Sequence, residues 1–390
     1  MRNIKDESNL NDKKVLLRLD LNVPLDNGKI TDTTRIDKIL PTINYLLKNK
    51  AKIIILSHVG RPNGNIVNEL SLKPICEDLK SKLNEDIKLV TRDLKKIKST
   101  DLFINQNEKI IMLENLRFYE EEEKNDTAFA EHLATLADVY INEAFSCSHR
   151  AHASISEITK FLPSYSGLQL NLEIEALTKI TSKIKKPITC IIGGSKISTK
   201  INIIKNLISK FDNIIIVGGM ANNIFKYKGY EIGKSIQEDN CNKIIEEIFV
   251  LSKKENCRIL YPEDVVVGKD LGGLPEIKEL DKVSADELIL DIGPKSIKNI
   301  NDIIEESKTI LWNGPAGYFE NPVFAKGSIE IAKKIIDKNN KIYSVVGGGD
   351  TVALLNGMNA IANFDFVSTA GGAFLEYLEG KELPGIKALN

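Results

Sequence analysis

One pattern recurs along this chain: a short run of β-favouring apolar residues ends in polar residues or glycine, and a stretch with helical periodicity follows. Few architectures satisfy strands that alternate with helices in this way, and the leading one is a parallel sheet with helices on its faces. In the first half, runs at 14–19, 52–56, 109–113 and 139–141 lead into Asp20-Leu21-Asn22, Ser57-His58-Val59-Gly60-Arg61-Pro62, Glu114-Asn115-Leu116-Arg117 and Asn142-Glu143-Ala144-Phe145. Helical stretches such as Thr34–Lys48 and 126–137 lie between them. In the second half, runs at 188–192, 213–217, 258–261, 288–292, 309–312, 341–346 and 364–367 lead into turns rich in glycine or proline. Those seven units predict a second doubly wound sheet. Leu168–Thr181, with Pro163 before it and Pro187 after it, reads as a helix connecting two domains.

Arginine and glycine are divided between the halves. Of eight Arg, seven lie at positions 2, 18, 35, 61, 92, 117 and 150, and only Arg258 lies beyond. Of 25 Gly, only Gly28, Gly60 and Gly64 fall in the first 150 residues. Lys supplies positive charge almost everywhere else, so Arg is kept where a planar, two-pronged donor suits a phosphate or carboxylate. Glycine pairs after strands let backbone N–H groups approach phosphates. One half thus suits a small anion and the other a nucleotide, which suggests phosphoryl transfer between two domains.

The 390 residues suit two domains of ordinary size, and 42% hydrophobic content supplies two cores. A net charge of −1 argues against a nucleic-acid surface. Met1-Arg2-Asn3-Ile4-Lys5-Asp6 has no apolar run, so no signal peptide is expected. No segment approaches the roughly 20 apolar residues that span a bilayer, so no membrane association is expected. Cys76, Cys147, Cys190, Cys241 and Cys257 are scattered and odd in number, which predicts reduced thiols in the cytoplasm.

Several motifs carry chemistry, each beside a plainer reading. Gly193-Gly194-Ser195-Lys196 followed by Lys200 reads equally as a phosphate-binding turn and as a tight βα turn with two solvated lysines. On a helix, Lys196 and Lys200 would share a face. It is not a Walker A loop. In Gly347-Gly348-Gly349-Asp350-Thr351 the glycines clear the loop, Asp350 can hold Mg²⁺ and Thr351 can donate to a phosphate; a purely structural loop is the alternative. Glu320, after Trp312-Asn313-Gly314-Pro315-Ala316-Gly317-Tyr318-Phe319, can accept from ribose hydroxyls or be a surface acid. Cys147, His149 and His152 have no second Cys pair to support zinc, and His beside Arg suits phosphate better. The absence of GxGxxG weakens a nicotinamide reading.

Taken in order, these segments resemble the phosphoglycerate kinases from about residue 12 to 388. The resemblance rests on Arg18-Leu19-Asp20-Leu21-Asn22-Val23-Pro24, Ser57 to Pro62, Glu114-Asn115-Leu116-Arg117-Phe118, His149-Arg150-Ala151-His152, Gly193 to Lys196, Trp312 to Pro315, Gly347 to Thr351 and Ser368 to Ala373. It implies an α/β fold of two Rossmann-like domains, each a mostly parallel sheet flanked by helices, joined by a hinge helix. Residues 1–167 would form the phosphoglycerate domain, 168–182 the connector, 183–377 the nucleotide domain, and 378–390 a tail returning to the first. By position, the resemblance assigns Asp20, Asn22, Arg35, His58, Arg61, Arg117 and Arg150 to 3-phosphoglycerate or 1,3-bisphosphoglycerate, with Arg18 in support. Lys196, Lys200, Glu320, Gly348, Gly349, Asp350 and Thr351 go to ATP or ADP, with Asp350 near Mg²⁺. Arg35, Lys196, Gly371 and Gly372 would surround the phosphoryl group in transfer, and a monomer is implied. The chain departs from the family's usual Asp-Ala-Phe-Gly-Thr at Glu143-Ala144-Phe145-Ser146-Cys147, and has Thr199 where Asp is common.

The implied chemistry needs no general base, because a carboxylate acceptor is already ionised at neutral pH. It needs two anions in line and positive charge or N–H dipoles around the transferring group. Hinge closure is the expected way to bring them together without water. A two-domain protein that clasps a phosphorylated ligand without chemistry is the alternative, but it does not account for Gly347 to Thr351 or the lysine pair.

Overall fold

The computed structural model describes residues 1–338 and 340–390, which fall into two compact units. Unit 1 comprises Met1–Glu175 and Glu382–Asn390, and unit 2 comprises Ala176–Lys381. Among the described residues, no helix is long and apolar enough to cross a membrane.

Unit 1 contains strands β1 (Lys14–Arg18), β2 (Leu25–Asp26), β3 (Lys29–Ile30), β4 (Lys52–Leu56), β5 (Ile87–Val90), β6 (Ile110–Leu113), β7 (Val139–Asn142) and β8 (Ser164–Ser166). β2 and β3 form a small antiparallel hairpin. The other six make one parallel sheet in the order β5-β6-β4-β1-β7-β8. The central strands are covered on both faces, so they read as continuous apolar runs, as in Lys52-Ile53-Ile54-Ile55-Leu56. The helix Thr34–Lys48 buries Ile36, Ile39, Ile43 and Leu46, spaced three or four apart, in one cluster with Val15, Leu17, Ile53 and Ile55. Parallel register aligns Arg18 with Leu56 on one side and Asn142 on the other. The residues after those strands therefore emerge together at one edge.

Unit 2 contains β9 (Ile188–Ile192), β10 (Asn213–Ile216), β11 (Arg258–Leu260), β12 (Asp264–Gly268), β13 (Glu276–Glu279), β14 (Leu288–Ile292), β15 (Thr309–Asn313), β16 (Tyr343–Gly347) and β17 (Phe366–Val367). Six of them form a parallel sheet in the order β11-β10-β9-β15-β16-β17. The chain runs outward from β9 through β10 to β11 and later resumes on the other side at β15, so the switch point lies between β9 and β15. Open α/β sheets bind ligands at such points. The expectation of seven strands in this sheet fails at Leu288–Ile292. That run joins β12 and β13 in a separate antiparallel sheet, with Val265, Val267 and Leu280 in its own small core. An apolar run that ends in glycine does not reveal which sheet will bury it.

Both units use the same joint between a strand end and a helix start. Glu143, just after β7, accepts hydrogen bonds from Gln169 N and Leu170 N, each 2.9 Å away, at the start of the helix Leu168–Thr181. The Thr42 hydroxyl donates to the same carboxylate. A Cβ on Gly167 would lie 2.1 Å from Glu143 Oε2, so the joint has no room for a side chain. In unit 2, Asp264 accepts from Lys295 N at 3.0 Å and Ser296 N at 2.7 Å, at the start of Pro294–Glu306. A Cβ on Gly293 would lie 2.3 Å from Asp264. In each case a carboxylate satisfies helix N–H groups that lack intrahelical partners.

Burial pushes the Glu143 carboxyl up from 4.5 to about 7, against the opposing pull of Thr42 and the helix amides. The folded state therefore holds this proton more tightly than the unfolded chain. The stability it contributes is fully present below about pH 4.5 and is lost as pH rises through about 7. Glu143→Gln removes the titration. The stability of the natural chain relative to Glu143→Gln, measured by urea unfolding, should fall by roughly 2–3 kcal/mol between about pH 5 and pH 8. A difference that does not change with pH would contradict this.

Candidate active site residues in the two units

In unit 1 the edge formed by the carboxyl ends of β1, β4, β6 and β7 collects most of the arginines. Arg18 ends β1 and is fully buried. Its Nε donates to Ser154 Oγ at 2.8 Å, NH1 to Leu19 O at 2.5 Å, and NH2 lies 3.1 Å from His58 Nδ1. The buried Glu122 carboxylate, 3.9 Å away, balances its charge. Asp20 is held by Arg35 NH1 at 2.9 Å and by the Ser146 hydroxyl at 2.5 Å. Arg35 NH1 also donates to Asn22 O at 3.1 Å, and Asn22 Oδ1 accepts from Gly60 N at 2.9 Å. Arg117 donates to Gly60 O at 2.9 Å and pairs with Glu123 at 3.4 Å. Thus Asp20, Asn22, Arg35 and Arg117 form one connected group around Gly60, and His58 is joined to Arg18 beside it.

Arg61 and Arg150 stand apart from that network. Both are exposed, and Arg150 Nε reaches the neighbouring His149 ring at 3.3 Å. Burial and the charges of Arg18 and Arg117 hold His58 well below the ordinary histidine range and bring His152 down to about 3. Both rings are neutral at physiological pH, and the positive charge here belongs to arginine alone. Asp20, His58 and Cys147 place an oxygen, a nitrogen and a sulfur within 4.8 Å of one another. Arg35 already engages Asp20, Arg18 engages His58, and burial raises the Cys147 thiol. The trio is a hydrogen-bonded floor beneath cations, a poor setting for a metal.

In unit 2 the switch point is closed by backbone contact. A Cβ on Gly193 would lie 2.3 Å from Pro315 O, and one on Gly314 would lie 2.4 Å from Gly193 O. Asn313 pairs in register with Ile192 and Gly347 and is almost wholly buried. Its Nδ2 donates to Gly347 O at 2.7 Å, and its Oδ1 accepts from Lys200 Nζ at 2.5 Å. Lys200 also donates to Gly193 O at 2.7 Å, and burial lowers it to about 8. Gly348 has φ +97 and precedes the helix Gly349–Gly357, so Gly349, Asp350 and Thr351 form its first turn. Thr351 is fully buried and accepts from Gly314 N at 2.7 Å. Asp350 is exposed, and no hydrogen bond or ion pair occupies its carboxylate among the described residues. A cavity of about 250 Å³ is lined by Gly194, Gly218, Phe225, Asp291, Glu320 and Asp350, among others. A free carboxylate beside a cavity and a helix start suits Mg²⁺, which takes one or two carboxylates along with phosphate oxygens. Gly371, with φ +56, and the exposed Gly372 lie at the start of the helix Gly372–Leu378.

The expected helical face of Lys196 and Lys200 is not present. The helix begins at Ile201, and residues 194–200 form a looped turn. Glu238 accepts from Ser198 N at 3.0 Å and from the Ser198 hydroxyl, and Thr199 Oγ1 closes on Lys196 O at 2.9 Å. Side chains that bond to nearby backbone compete with helix in this way. Lys196 is left exposed while Lys200 is drawn inward. The sequence alone assigns no role to Glu122, Asn313 or Asp291. Glu122 sits in the acidic run Glu120 to Glu123, which reads as a solvated face, yet it is fully buried under Arg18. Asn313 was visible in the Trp312-Asn313-Gly314 turn, but its bridging position follows only from strand register. Asp291, pushed up to about 7 by burial, accepts from Gly327 N at 2.7 Å in the cavity wall.

The comparisons agree with one another. A family model described as phosphoglycerate kinase matches residues 4–381. A phosphoglycerate kinase of Wolbachia sp. subsp. Brugia malayi is 45% identical over 396 residues, covering 100% of this chain and 99% of its own. One of Zymomonas mobilis subsp. mobilis is 43% identical over 395 residues, with 100% and 99% covered. Among solved structures, phosphoglycerate kinase from Coxiella burnetii has a TM-score of 0.91 and 39% identity, covering 98% of this chain and 97% of that one. Phosphoglycerate kinase from Pyrococcus horikoshii OT3 has a TM-score of 0.82 and 28% identity, covering 100% and 98%.

The contact between the Gly193 and Gly314 loops yields a stability test. Gly193→Ala places a methyl against backbone on the facing loop, which no rotamer change can relieve. Unit 2 should lose about 3 kcal/mol in urea unfolding. Gly349→Ala, where a Cβ meets nothing within 4 Å, should stay within about 1 kcal/mol of the natural chain. Equal losses would show that the close approach is not what requires glycine.

Proposed function

The chain belongs to the phosphoglycerate kinase family, and from that premise we propose which of its residues carry out each part of the work. It is a phosphotransferase with a carboxyl group as acceptor, exchanging a phosphoryl group between 1,3-bisphosphoglycerate and ADP to give 3-phosphoglycerate and ATP. In the proposed division, unit 1 holds the phosphoglycerate through Asp20, Asn22, Arg35, His58, Arg61, Arg117 and Arg150. Unit 2 holds the nucleotide through Lys196, Lys200, Glu320, Gly348, Gly349, Asp350 and Thr351, with Mg²⁺ at Asp350. The observation that carries this reading is the separation of chemistry between the units. Unit 1 gathers guanidinium groups at one sheet edge, while unit 2 has a cavity between bare glycine loops with two exposed carboxylates, Glu320 and Asp350.

In this mechanism no group removes a proton from the acceptor. His58 and His152 are neutral and desolvated, which fits recognition rather than charge. Asp20 and Asn22 O hold Arg35 NH1, so the guanidinium is oriented in advance and would meet incoming oxygens without a search through rotamers. Lys200 sits half-desolvated on Gly193 O and Asn313, and an arriving polyphosphate would restore the charge that burial penalises. Backbone N–H groups at Gly371 and Gly372, with Lys196 and Arg35, would face the charge that develops on the transferring group. Bound Mg²⁺ would supply neutralisation of the nucleotide phosphates. Closure of the units on both ligands would bring the reacting oxygens into line. A monomer in the cytoplasm belongs to the same reading, and five buried cysteines without disulfide partners fit a reducing compartment.

A coupled assay of ATP formation from 1,3-bisphosphoglycerate and ADP tests the reaction directly, and ligand binding without turnover would leave only a binding protein. Arg61→Ala should mainly raise KM for phosphoglycerate, since Arg61 is an exposed anchor. Arg35→Ala should mainly lower kcat, by roughly 10³-fold if the arginine meets the developing charge. A natural kcat in Arg35→Ala would remove its transition-state role. Glu320→Ala should weaken ADP binding by about 1.5–3 kcal/mol in titration calorimetry and leave 3-phosphoglycerate affinity unchanged. An equal loss for both ligands would reject the ribose assignment.

A further inference from the structure

The contact between Arg18 and His58 fixes a proton. A guanidinium has five N–H donors and no acceptor. Arg18 NH2 lies 3.1 Å from His58 Nδ1, so Nδ1 is the acceptor and carries no hydrogen while that contact stands. The ring is 2% exposed, and the groups packed around it oppose a second proton. Burial contributes most, followed by Arg18 from β1, Arg117 after β6, His152 from the loop after β7, and Arg35 from the helix Thr34–Lys48. Asp20 and Cys147 also lie close, but Arg35 and Ser146 hold Asp20, and the buried thiol keeps its proton. A neutral ring with a bare Nδ1 has its one hydrogen on Nε2.

We infer that Arg18 is a positioning residue that locks His58 as an Nε2–H donor, so that His58 offers phosphoglycerate one directed hydrogen bond rather than a positive charge. This rests on the assignment of His58 to the substrate given above. Arg18 can act as a lock because it cannot move. Its Nε and NH1 are committed to Ser154 Oγ at 2.8 Å and Leu19 O at 2.5 Å. Ser154 is itself fixed, its hydroxyl donating to Glu122 Oε1 at 2.6 Å and its N–H to Glu122 Oε2 at 3.0 Å. Glu122, Ser154, Arg18 and His58 thus form a chain in which each member sets the orientation of the next. The result is a division of labour. Arg35, Arg61, Arg117 and Arg150 attract any anion, whereas a single N–H of fixed direction favours a ligand whose acceptor oxygen lies at one bearing. It also keeps that preference where a free histidine would gain and lose charge.

The test uses the full chain with ¹⁵N-labelled histidine, whose four rings are few enough to assign, with His58→Gln identifying the His58 signals. Ring ¹⁵N–¹H spectra would be recorded between about pH 5.5 and 8 with and without 3-phosphoglycerate, for the natural chain and Arg18→Lys. The expected result is an Nε2–H ring that does not titrate and whose Nε2–H signal moves on adding 3-phosphoglycerate. In Arg18→Lys the ring should show mixed tautomers or titrate, and KM for 3-phosphoglycerate should rise about tenfold with kcat changed by less than about threefold. An Nδ1–H ring, a ring that charges in this range, or an Arg18→Lys ring like the natural one would overturn the lock. If Arg18→Lys does not fold, the spectrum of the natural chain decides alone. An Nε2–H ring that ignores 3-phosphoglycerate would leave the lock standing and remove His58 from the substrate site.

Discussion

A cation held out of water is unfavourable unless something negative stands beside it, and both units are organised around that constraint. In unit 1, Arg18 is wholly buried and Arg117 nearly so. Glu122, itself without exposure, lies 3.9 Å from Arg18, whose NH1 donates to Leu19 O, and Arg117 NH1 donates to Gly60 O. In unit 2, Lys200 is drawn onto two backbone and side-chain oxygens and loses proton affinity. Each unit thus keeps a partly desolvated cation near the carboxyl edge of its sheet, a penalty that a phosphate bound there, as proposed above, would relieve.

The parallel register makes these positions possible. Strands aligned so that Arg18 faces Leu56 and Asn142 deliver the next residues of three loops to a common edge. In unit 2, Asn313 between Ile192 and Gly347 does the same. The strands and their ends were legible in the sequence, because buried parallel strands need uninterrupted apolar runs and their ends are marked by abrupt polarity or glycine, but the register that aligns them was not. The helices Thr34–Lys48 and Leu168–Thr181 were legible to the residue, the first from its three- and four-residue spacing of isoleucine and leucine.

What could not be read shares a physical reason: it depends on partners distant in the chain. Leu288–Ile292 looks like any other strand, and only its pairing with Asp264–Gly268 places it in the antiparallel sheet. The turn at 194–200 looks like a helix start until Glu238 takes up Ser198. Glu143 and Gly167 are separated by a whole strand, yet neither has meaning without the other. Glycine illustrates the ambiguity best. Within Gly347-Gly348-Gly349, the first is required because Phe374 lies 2.4 Å from where a Cβ would stand, the second by its positive φ, and the third by neither. Composition counts all three alike.

The segment Glu382–Asn390 packs with unit 1, burying Leu383 and Leu389, and Gly385 N donates to Ser148 O at 2.8 Å, two residues from Arg150. All of unit 2 is synthesised before that segment exists. As the chain grows, unit 1 must therefore wait, its Ser148 carbonyl open to water, until its partner domain has already been made. The loop that bears Arg150 is completed by the same residues that complete the chain's passage through unit 2. Unit 1 therefore cannot reach its finished form before the whole of unit 2 has been synthesised.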